Sequence, residues 1–281
     1  MSFVDLVNTM MGPKKEASLT KKLEHYILNY PDDYAKDDVF HPSQLYYMCP
    51  RQEVLKRILP VELVPPETKE MMTYAKFHIG HAMHSWYQNK YLGPMGVLIG
   101  SWQCLRCGVV VDGLYPTDIV SECAHGGKHL WEYVEPPVYS AEWNIRGKCD
   151  GIIMQNNARC VIDMKTSSPD WFKKMTRPWP SAKYQVEIYM WLLGIQQGLL
   201  LYIDKSADGK EPVREFPLKY NTNTINDVQG KITSFRVSME DRFLAPCLCG
   251  KSKFGMSCAE IEDNADVLSL VKAWEKSEKE I

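Results

Sequence analysis

The fold of this chain is decided by residues 147–166, which read GKCDGIIMQNNARCVIDMKT. Two short apolar runs flank a polar turn at residues 155–157, and this pattern predicts a β-hairpin. Asp150 lies on the first predicted strand, and Asp163 and Lys165 lie on the second. Since residues two apart on a strand point to the same side, Asp163 and Lys165 are predicted to share one face.

The acidic and basic side chains of this hairpin indicate a metal site. Two carboxylates and an ammonium group on apolar strands are costly to bury without partners. A divalent cation removes that cost, because hard cations take carboxylate oxygens as ligands, and Lys165 can then position an attacking water. Such a cluster suits phosphodiester hydrolysis, in which the metal ion activates water and neutralises phosphate charge. The alternative interpretation is a surface Asp–Lys pair on an ordinary strand.

A predicted helix over residues 69–92 contains histidines spaced three residues apart, which from the residues alone indicates a polar helix edge. It contains Gly80-x-x-x-His84, and Gly80 permits close approach of a neighbouring backbone. A lone histidine is more often structural than a ligand, so His84 gains weight only from its neighbours in the sequence. His81, one turn away, is the second candidate.

A second predicted helix, residues 184–198, follows the hairpin and ends at Gly198. It places Gln185 and Tyr189 four residues apart, on one face. The intervening residues 167–183 contain four basic residues and two tryptophans, which suit contacts with DNA phosphates and bases. An ordinary loop stapled by its aromatic residues would have the same composition.

The sequence contains nine cysteines, and clustered cysteines in a reducing compartment are more often metal ligands than disulfides. Cys104-x-x-Cys107-Gly has the spacing of a zinc-ribbon knuckle, and Cys123 follows it. His125 and His129 are the two candidates for the fourth ligand, and the two glycines after His125 favour it. Four such ligands predict a closed, structural Zn²⁺ site. Incidental cysteines or a disulfide are the alternatives.

The order of these motifs resembles the PD-(D/E)XK nuclease superfamily, and within it the RecB-like iron–sulfur exonucleases of the CRISPR-associated and AddB types. Their pattern is a Gly-x-x-x-His helix, an acid, acid-x-Lys, and a Gln-x-x-x-Tyr helix. The resemblance implies that Mg²⁺ or Mn²⁺ is bound by His84, Asp150, Asp163 and the carbonyl of Met164. It further implies that the catalytic residues are Asp150, Asp163, Lys165, Gln185 and Tyr189.

The same resemblance implies an iron–sulfur site. Members of that branch join one early cysteine to three late ones around a [4Fe–4S] cluster. The corresponding residues here are Cys49, within Tyr-x-x-Cys-Pro-Arg, and Cys247, Cys249 and Cys258. The family spaces its late cysteines as C-x2-C-x5-C, whereas this chain has C-x-C-x8-C. Zn²⁺ on the same four cysteines is therefore the alternative.

The implied fold is α/β with a restriction-endonuclease-like core, a central mixed sheet flanked by helices. A zinc ribbon is inserted into it, and an iron–sulfur clip joins the N- and C-terminal segments. The predicted divisions are an N-terminal helical part with Cys49 and the His84 helix (1–99), a zinc-ribbon insertion (100–135), a nuclease core (136–245), and a C-terminal cysteine cluster with a helix (246–281).

Composition limits the function further. The 281 residues carry a net charge of −2, so contact with DNA would need a local basic patch. No apolar run reaches membrane-spanning length, and the N-terminus lacks the order of a secretory signal, which predicts an intracellular, cytoplasmic protein without a membrane partner. The predicted function is a metal-dependent DNA exonuclease in DNA processing, recombination or repair. Its partners would be single-stranded DNA or DNA with ends, and other DNA-processing proteins. The alternative is a non-catalytic DNA-binding or scaffold subunit.

Overall fold

The structure, a computed structural model, describes residues 19, 21, 38–60, 71–116, 122–155, 157–205, 212–249, 258 and 265–277. The chain divides into two compact units, residues 1–37 with 68–79, and residues 38–67 with 80–281. The described part of the first unit consists of Leu19, Lys21 and the beginning of one helix. All other elements belong to the second unit.

The described elements are helical up to Leu92, and strands with two pairs of helices follow. The helices are α1 (Pro42–Leu45), α2 (Pro50–Ile58), α3 (Met71–Tyr87), which a π-helical turn (Gln88–Leu92) continues, α4 (Pro169–Lys174), α5 (Pro180–Leu193), α6 (Thr222–Asp241) and α7 (Ala265–Lys276). The strands are β1 (Leu98–Cys104), β2 (Val110–Gly113), β3 (Trp131–Val134), β4 (Pro137–Ser140), β5 (Ile145–Lys148), β6 (Gly151–Gln155), β7 (Ala158–Ser167), β8 (Gln197–Asp204) and β9 (Val213–Lys219).

A mixed sheet organises the second unit, in the order β2-β1-β6-β7-β8-β9, with β3 also paired to β1. Only β7 and β8 run parallel among the neighbouring strands of this sheet in the described ranges. Parallel neighbours need a crossover connection, and α4 and α5 provide it. Strands β4 and β5 form a separate antiparallel pair. The predicted central mixed sheet with flanking helices is confirmed.

The predicted hairpin is strands β6 and β7, paired in the register Gly151↔Ile162. Asn157 has a φ of 61° in the turn, a conformation that asparagine tolerates better than most residues. Gly151 allows β1 to approach, because a Cβ there would lie 2.6 Å from Leu98 Cδ1. The hairpin therefore packs directly against β1, most of which lies in the segment predicted to form the zinc ribbon.

Alternate side chains of β7 pack on opposite faces of the sheet, as the period of two requires. Val161 belongs to the core under α5, with Val186 and Met190, whereas Ile162 and Met164 pack on the other face. Each such fully buried side chain contributes about 1.5–3 kcal/mol to stability. This burial fixes the register, and hence which side chains of β7 face α5.

The predicted end of the second helix was wrong. Helix α5 ends at Leu193, and Gly194 follows it with a φ of 66°, the left-handed conformation that ends many helices. Gly198 lies in β8 instead, where a Cβ would come within 2.7 Å of Met190 Sδ. Two glycines follow this helix, and the one nearer to it ends it.

No helix within the described ranges is long and apolar enough to cross a membrane.

Candidate functional site

The two acids of the hairpin face each other across the β6–β7 pair. Gly151 pairs with Ile162, so the residues one step beyond, Asp150 and Asp163, are opposite. The Asp150 Oδ2 atom accepts a hydrogen bond from the backbone N–H of Met164 at 2.5 Å. Asp163 is only 2% exposed, so its carboxylate is almost wholly removed from water. The hairpin register therefore places Asp150 beside Asp163, and the hydrogen bond from Met164 holds its carboxylate there.

A chain of polar contacts connects Asp163 to helix α5. Lys165 Nζ lies 2.8 Å from Asp163 Oδ2 and donates to Gln185 Oε1 at 3.1 Å. Gln185 Nε2 in turn donates to the Tyr189 hydroxyl at 2.8 Å. The hydrogen-bonding partners fix the orientation of the Gln185 amide, because an ammonium group can only donate. All four residues were predicted to belong to the site.

The histidine predicted on α3 also reaches the acids. His84 Nδ1 lies 3.4 Å from Asp150 Oδ2. His81 is exposed, and its ring centroid is 6.5 Å from that of His84. A Cβ at Gly80 would lie 3.6 Å from Thr166 Oγ1, which reflects how closely the helix approaches β7. Of the two candidate histidines, His84 is the one in contact with an acid.

The acids have opposite pKa shifts. Burial raises the pKa of Asp163 to about 6, against the charge of Lys165. Burial also acts to raise the pKa of Asp150. The hydrogen bond and charge of His84, with the charge of Lys165, outweigh burial, so the pKa of Asp150 is lowered. The pKa values of His84 and Lys165 are raised, because the nearby carboxylates outweigh the effect of burial on each. Near neutral pH the site therefore contains the buried carboxylate of Asp163, the partly buried carboxylate of Asp150 and the ammonium group of Lys165.

The donors present suit a hard divalent cation, since carboxylate, imidazole and carbonyl groups are its ordinary ligands. The Asp163 Oδ2 atom is buried and forms no hydrogen bond of regular geometry within the described part of the chain, although Lys165 Nζ is 2.8 Å away. A second partner can therefore bind that oxygen. The donor atoms of this site are farther apart than those of the two cysteine groups described next. Among the described residues, only the cysteine groups have three or more donor atoms that all lie within 4.8 Å of one another.

The four predicted iron–sulfur cysteines form the first of these groups, Cys49, Cys247, Cys249 and Cys258. Adjacent sulfur atoms are 3.1 Å apart in the pairs Cys247–Cys249 and Cys249–Cys258, and 3.7 Å apart in Cys49–Cys258. Cys49 is the residue that immediately precedes the first turn of α2. The hydrogen bond from Cys258 is the main cause that lowers the pKa of Cys49 to about 4. This group can bind a metal ion.

The ribbon cysteines form the second group, with His129 as the fourth member. The sulfur atoms of Cys104 and Cys123 are 3.9 Å apart, and Cys107 Sγ is 3.7 Å from His129 Nδ1. His125 is not part of the group, contrary to the preference that its following glycines suggested.

The position of His125 follows from the turn after Cys123. The N–H of Gly126 donates to the Cys123 carbonyl at 2.7 Å, and both Gly126 and Gly127 have positive φ. The glycines thus form the turn itself, and the chain returns to the cysteines two residues later, at His129. The His129 ring then stacks on Trp131 with a centroid separation of 4.6 Å, which fixes its orientation.

Two residues beside the site, Gln88 and Glu135, were not predicted from the sequence. Gln88, 3% exposed, donates through Nε2 to the Asp150 carbonyl oxygen at 2.7 Å and to Glu135 Oε1 at 3.1 Å. Neither residue belongs to a recognisable motif. The only available signal was a polar residue at the end of a helix, four positions after His84.

Comparisons with known proteins find one local sequence match and several structures of low similarity. No family model matches the chain. It is 32% identical over 74 residues to the CRISPR-associated exonuclease Cas4 of Saccharolobus solfataricus, a match that covers 26% of this chain and 35% of that protein. The chain thus matches about a third of the length of that relative.

Two solved structures are similar at low identity. An alkaline exonuclease from Laribacter hongkongensis is 12% identical, with a TM-score of 0.44, over 84% of this chain and 92% of that one. A phage-related exonuclease from Haemophilus somnus is 11% identical, with a TM-score of 0.31, over 69% and 90% respectively. TM-scores below 0.5 are too low for conclusions about function.

Proposed function

We propose that this protein is a metal-dependent DNA nuclease of the PD-(D/E)XK type, an exonuclease that uses Mg²⁺ or Mn²⁺ in intracellular DNA processing. The observation that carries the proposal is the buried contact between Asp163 and Lys165, with Asp150 opposite them. Two carboxylates, an ammonium group and a histidine that are buried or partly buried at one site are costly to desolvate unless a bound cation offsets that cost. The local similarity to Cas4 supports the same class of enzyme.

The residues of the site have separate tasks in this proposal. His84, Asp150, Asp163 and the carbonyl of Met164 would hold the ion. When bound, the ion supplies activation of water and neutralisation of charge on the phosphate. Lys165 would orient the attacking water with its ammonium group. Gln185 and Tyr189 would keep Lys165 in place, because the Tyr189 hydroxyl fixes the amide that accepts from Lys165 Nζ.

A basic and aromatic surface next to the site is the proposed DNA contact. It consists of Trp171, Lys173, Lys174, Arg177 and Trp179, all on α4 or the connection to α5. Trp171 is 65% exposed, which leaves its ring free for stacking on a base. The Lys and Arg side chains supply the local positive charge that the net charge of −2 does not.

This surface is anchored next to Lys165. The Trp179 N–H donates to the Tyr202 hydroxyl at 3.0 Å, and Tyr202 is paired with Lys165 in the β7–β8 register. Arg214 holds α4 through hydrogen bonds to the carbonyls of Phe172, at 2.8 Å, and Met175. A strand held on this surface would therefore lie beside the proposed catalytic lysine.

The two cysteine groups are proposed to be structural. Cys49, Cys247, Cys249 and Cys258 would hold a [4Fe–4S] cluster, with Zn²⁺ as the alternative, and Cys104, Cys107, Cys123 and His129 would hold Zn²⁺. Cys49 and Cys258 pack in one apolar cluster with Leu55 of α2 and Val267 of α7. Ligation there would tie the two helices together. Hydrolysis requires no electron transfer, so neither group needs to take part in the chemistry.

The runner-up is a non-catalytic DNA-binding or scaffold subunit, in which the acids would be a relict. The intact set Asp150, Asp163 and Lys165 argues against it. The test is an assay on end-labelled linear and on circular DNA with Mg²⁺, Mn²⁺ or EDTA. We expect metal-dependent loss of linear DNA from its ends, with circular DNA resistant. Cleavage of circular DNA would make the protein an endonuclease, and absence of cleavage with either metal would leave the scaffold.

A further inference from the structure

We infer that Gln88 and Glu135 form a brace that positions Asp150 for metal binding. This inference deepens the proposed function and rests on it, since it assigns Asp150 to the metal site. Gln88 lies in the π-helical turn that continues α3, and its side chain is buried. Turns of this kind are rare and occur frequently at functional sites.

The Gln88 amide uses both of its N–H donors on the site. Nε2 donates to the carbonyl oxygen of Asp150 at 2.7 Å and to Glu135 Oε1 at 3.1 Å. Both distances are those of good hydrogen bonds, and the bond to Glu135 gains strength from the charge of the carboxylate. The amide NH₂ has two N–H donors, and each makes one of these bonds. Rotation of the amide group would therefore break both.

Asp150 needs this support because it lies just outside the sheet. The paired residues of β6 begin at Gly151, so the strand ladder does not fix the Asp150 carbonyl. His84 and Gln88 are four residues apart and thus neighbours on one helical face. His84 approaches the Asp150 carboxylate and Gln88 holds its backbone, so one helix contacts both ends of the residue.

Glu135 is fixed from the other side by β3. The Tyr133 N–H donates to Asn89 Oδ1 at 2.7 Å, and the Tyr133 hydroxyl donates to the Ile99 carbonyl at 2.8 Å. These bonds hold β3 against the π-helical turn and against β1. Glu135 is the first residue after β3. The position of β3 therefore fixes the distance between the Glu135 carboxylate and the Gln88 amide. The brace thereby joins Asp150 to the strand that starts two residues after His129.

The adjacent Asn89 offers a matched control. Like Gln88 it joins the π-helical turn to the β3 region through a side-chain amide, with a further bond from Nδ2 to the Ser85 carbonyl at 2.8 Å. These side-chain bonds are directed at Tyr133 and Ser85 rather than at Asp150. Loss of Asn89 should therefore affect Asp150 only indirectly, through β3 and Glu135, whereas loss of Gln88 removes a direct hydrogen bond to Asp150.

The experiment measures Mn²⁺ binding by calorimetry on the full-length protein, with Asp163→Asn defining the signal of this site. Mn²⁺ is chosen because thiolates prefer softer metals, so the cysteine groups should contribute little. Gln88→Met keeps the length of the side chain and removes both donors. We expect it to weaken Mn²⁺ affinity about tenfold or more, the usual effect of losing a residue that orients a ligand. Asn89→Ala should lower the affinity much less than Gln88→Met does, because Asn89 makes no bond to Asp150.

Glu135→Gln separates a brace from direct coordination. The amide introduced by this substitution would retain an acceptor oxygen for Gln88, so a brace predicts nearly normal Mn²⁺ affinity. A loss as large as that of Asp163→Asn would mean that Glu135 is itself a ligand and would overturn the brace. Normal affinity in Gln88→Met, or equal losses in Gln88→Met and Asn89→Ala, would overturn it too. Thermal unfolding in the presence of EDTA shows whether Gln88→Met is folded. If it is not, Glu135→Leu provides the test, and we expect its Mn²⁺ affinity to fall.

Binding and cleavage are measured separately, so the two proposals can fail independently. Mn²⁺ binding that depends on Gln88, in a protein that does not cut DNA, would keep the brace and refute the nuclease. Metal-dependent cleavage with Mn²⁺ affinity indifferent to Gln88 would do the opposite.

Discussion

The carboxylate of Asp150 accepts a hydrogen bond from the backbone N–H of Met164, 2.5 Å away on the opposite strand. The bond links the first acid to the residue between Asp163 and Lys165, so the acid and the acid-x-Lys motif form one unit. The hairpin register sets the motifs side by side, although Asp150 itself lies one residue before the paired strand. A site built on paired strands holds its geometry more closely than one built on loops.

Lys165 should be essential for turnover and dispensable for metal binding. Its ammonium group is not a ligand for a hard cation, and in the structure it orients towards Asp163 and Gln185. Lys165→Met should therefore lose cleavage and still bind Mn²⁺, measured by calorimetry beside a nuclease assay. Loss of Mn²⁺ binding in a folded variant would show that Lys165 does not have this separate role. Lys231→Met, on α6, is the control that should retain both.

Mn²⁺ affinity should fall as the pH is lowered through about 6. Burial raises the pKa of Asp163 to about 6, so below that pH the carboxylate is protonated and cannot act as a ligand. The raised pKa of His84 acts in the same direction, because imidazole must be neutral to bind.

Titrating the protein with Mn²⁺ at a series of pH values tests this dependence. In Lys165→Met the midpoint should move to higher pH, because the ammonium group lowers the pKa of Asp163. Affinity that stays constant from about pH 5 to about pH 8 would contradict the assignment of both ligands.

His129, and not His125, should be required for zinc. His129 Nδ1 lies 3.7 Å from Cys107 Sγ, whereas His125 is outside the group. Elemental analysis should find about one Zn²⁺ per chain in the native protein and in His125→Ala, and less in His129→Ala. A Cys104→Ser/Cys107→Ser double variant should lose zinc and retain iron. Zinc that persists in that double variant, or is lost in His125→Ala, would refute the proposed ligand set.

The four-cysteine group should contain iron. Anaerobically purified protein should be brown, with broad absorption near about 400 nm from thiolate-to-iron charge transfer. Cys258→Ala should lose the colour and lower stability, because ligation free energy is folding free energy at such a site. Cys160→Ala is the matched control, since that buried cysteine lies outside both groups. A colourless, iron-free, stable and fully active protein would refute the cluster, whereas a second zinc would change only the metal.

Local patterns predicted the parts of the site that depend on neighbouring residues. The period of two on β7 was enough to put Asp163 and Lys165 on one face, and the short turn set the register that brings Asp150 opposite Asp163. Helical spacing likewise put Gln185 and Tyr189 in contact. Each of these relationships follows from the geometry of one strand, one turn or one helix.

Relationships that depend on distant packing were less accessible. The glycines after His125 favoured that residue, but whether the chain returns at His125 or at His129 depends on a turn with two positive φ values. The contacts of Gln88 could not be predicted, because its partner Glu135 is 47 residues away and a π-helical turn has no sequence signature. The convergence of the four cysteines was predicted only from a family resemblance, because sequence spacing alone does not place Cys49 beside the C-terminal segment.

The central claim is that Asp163 belongs to a metal-dependent nuclease site, and a comparison of two Asp→Asn variants tests it most directly. Asp227 on α6 is the control, because it accepts from the Tyr184 hydroxyl at 2.6 Å and pairs with Lys231 rather than with the site. The measurement is the Mn²⁺-dependent rate of degradation of end-labelled linear DNA. We predict that Asp163→Asn falls below about a tenth of the native rate while remaining folded, and that Asp227→Asn retains it. A rate for Asp163→Asn close to the native one, or cleavage that continues in EDTA, would contradict the account.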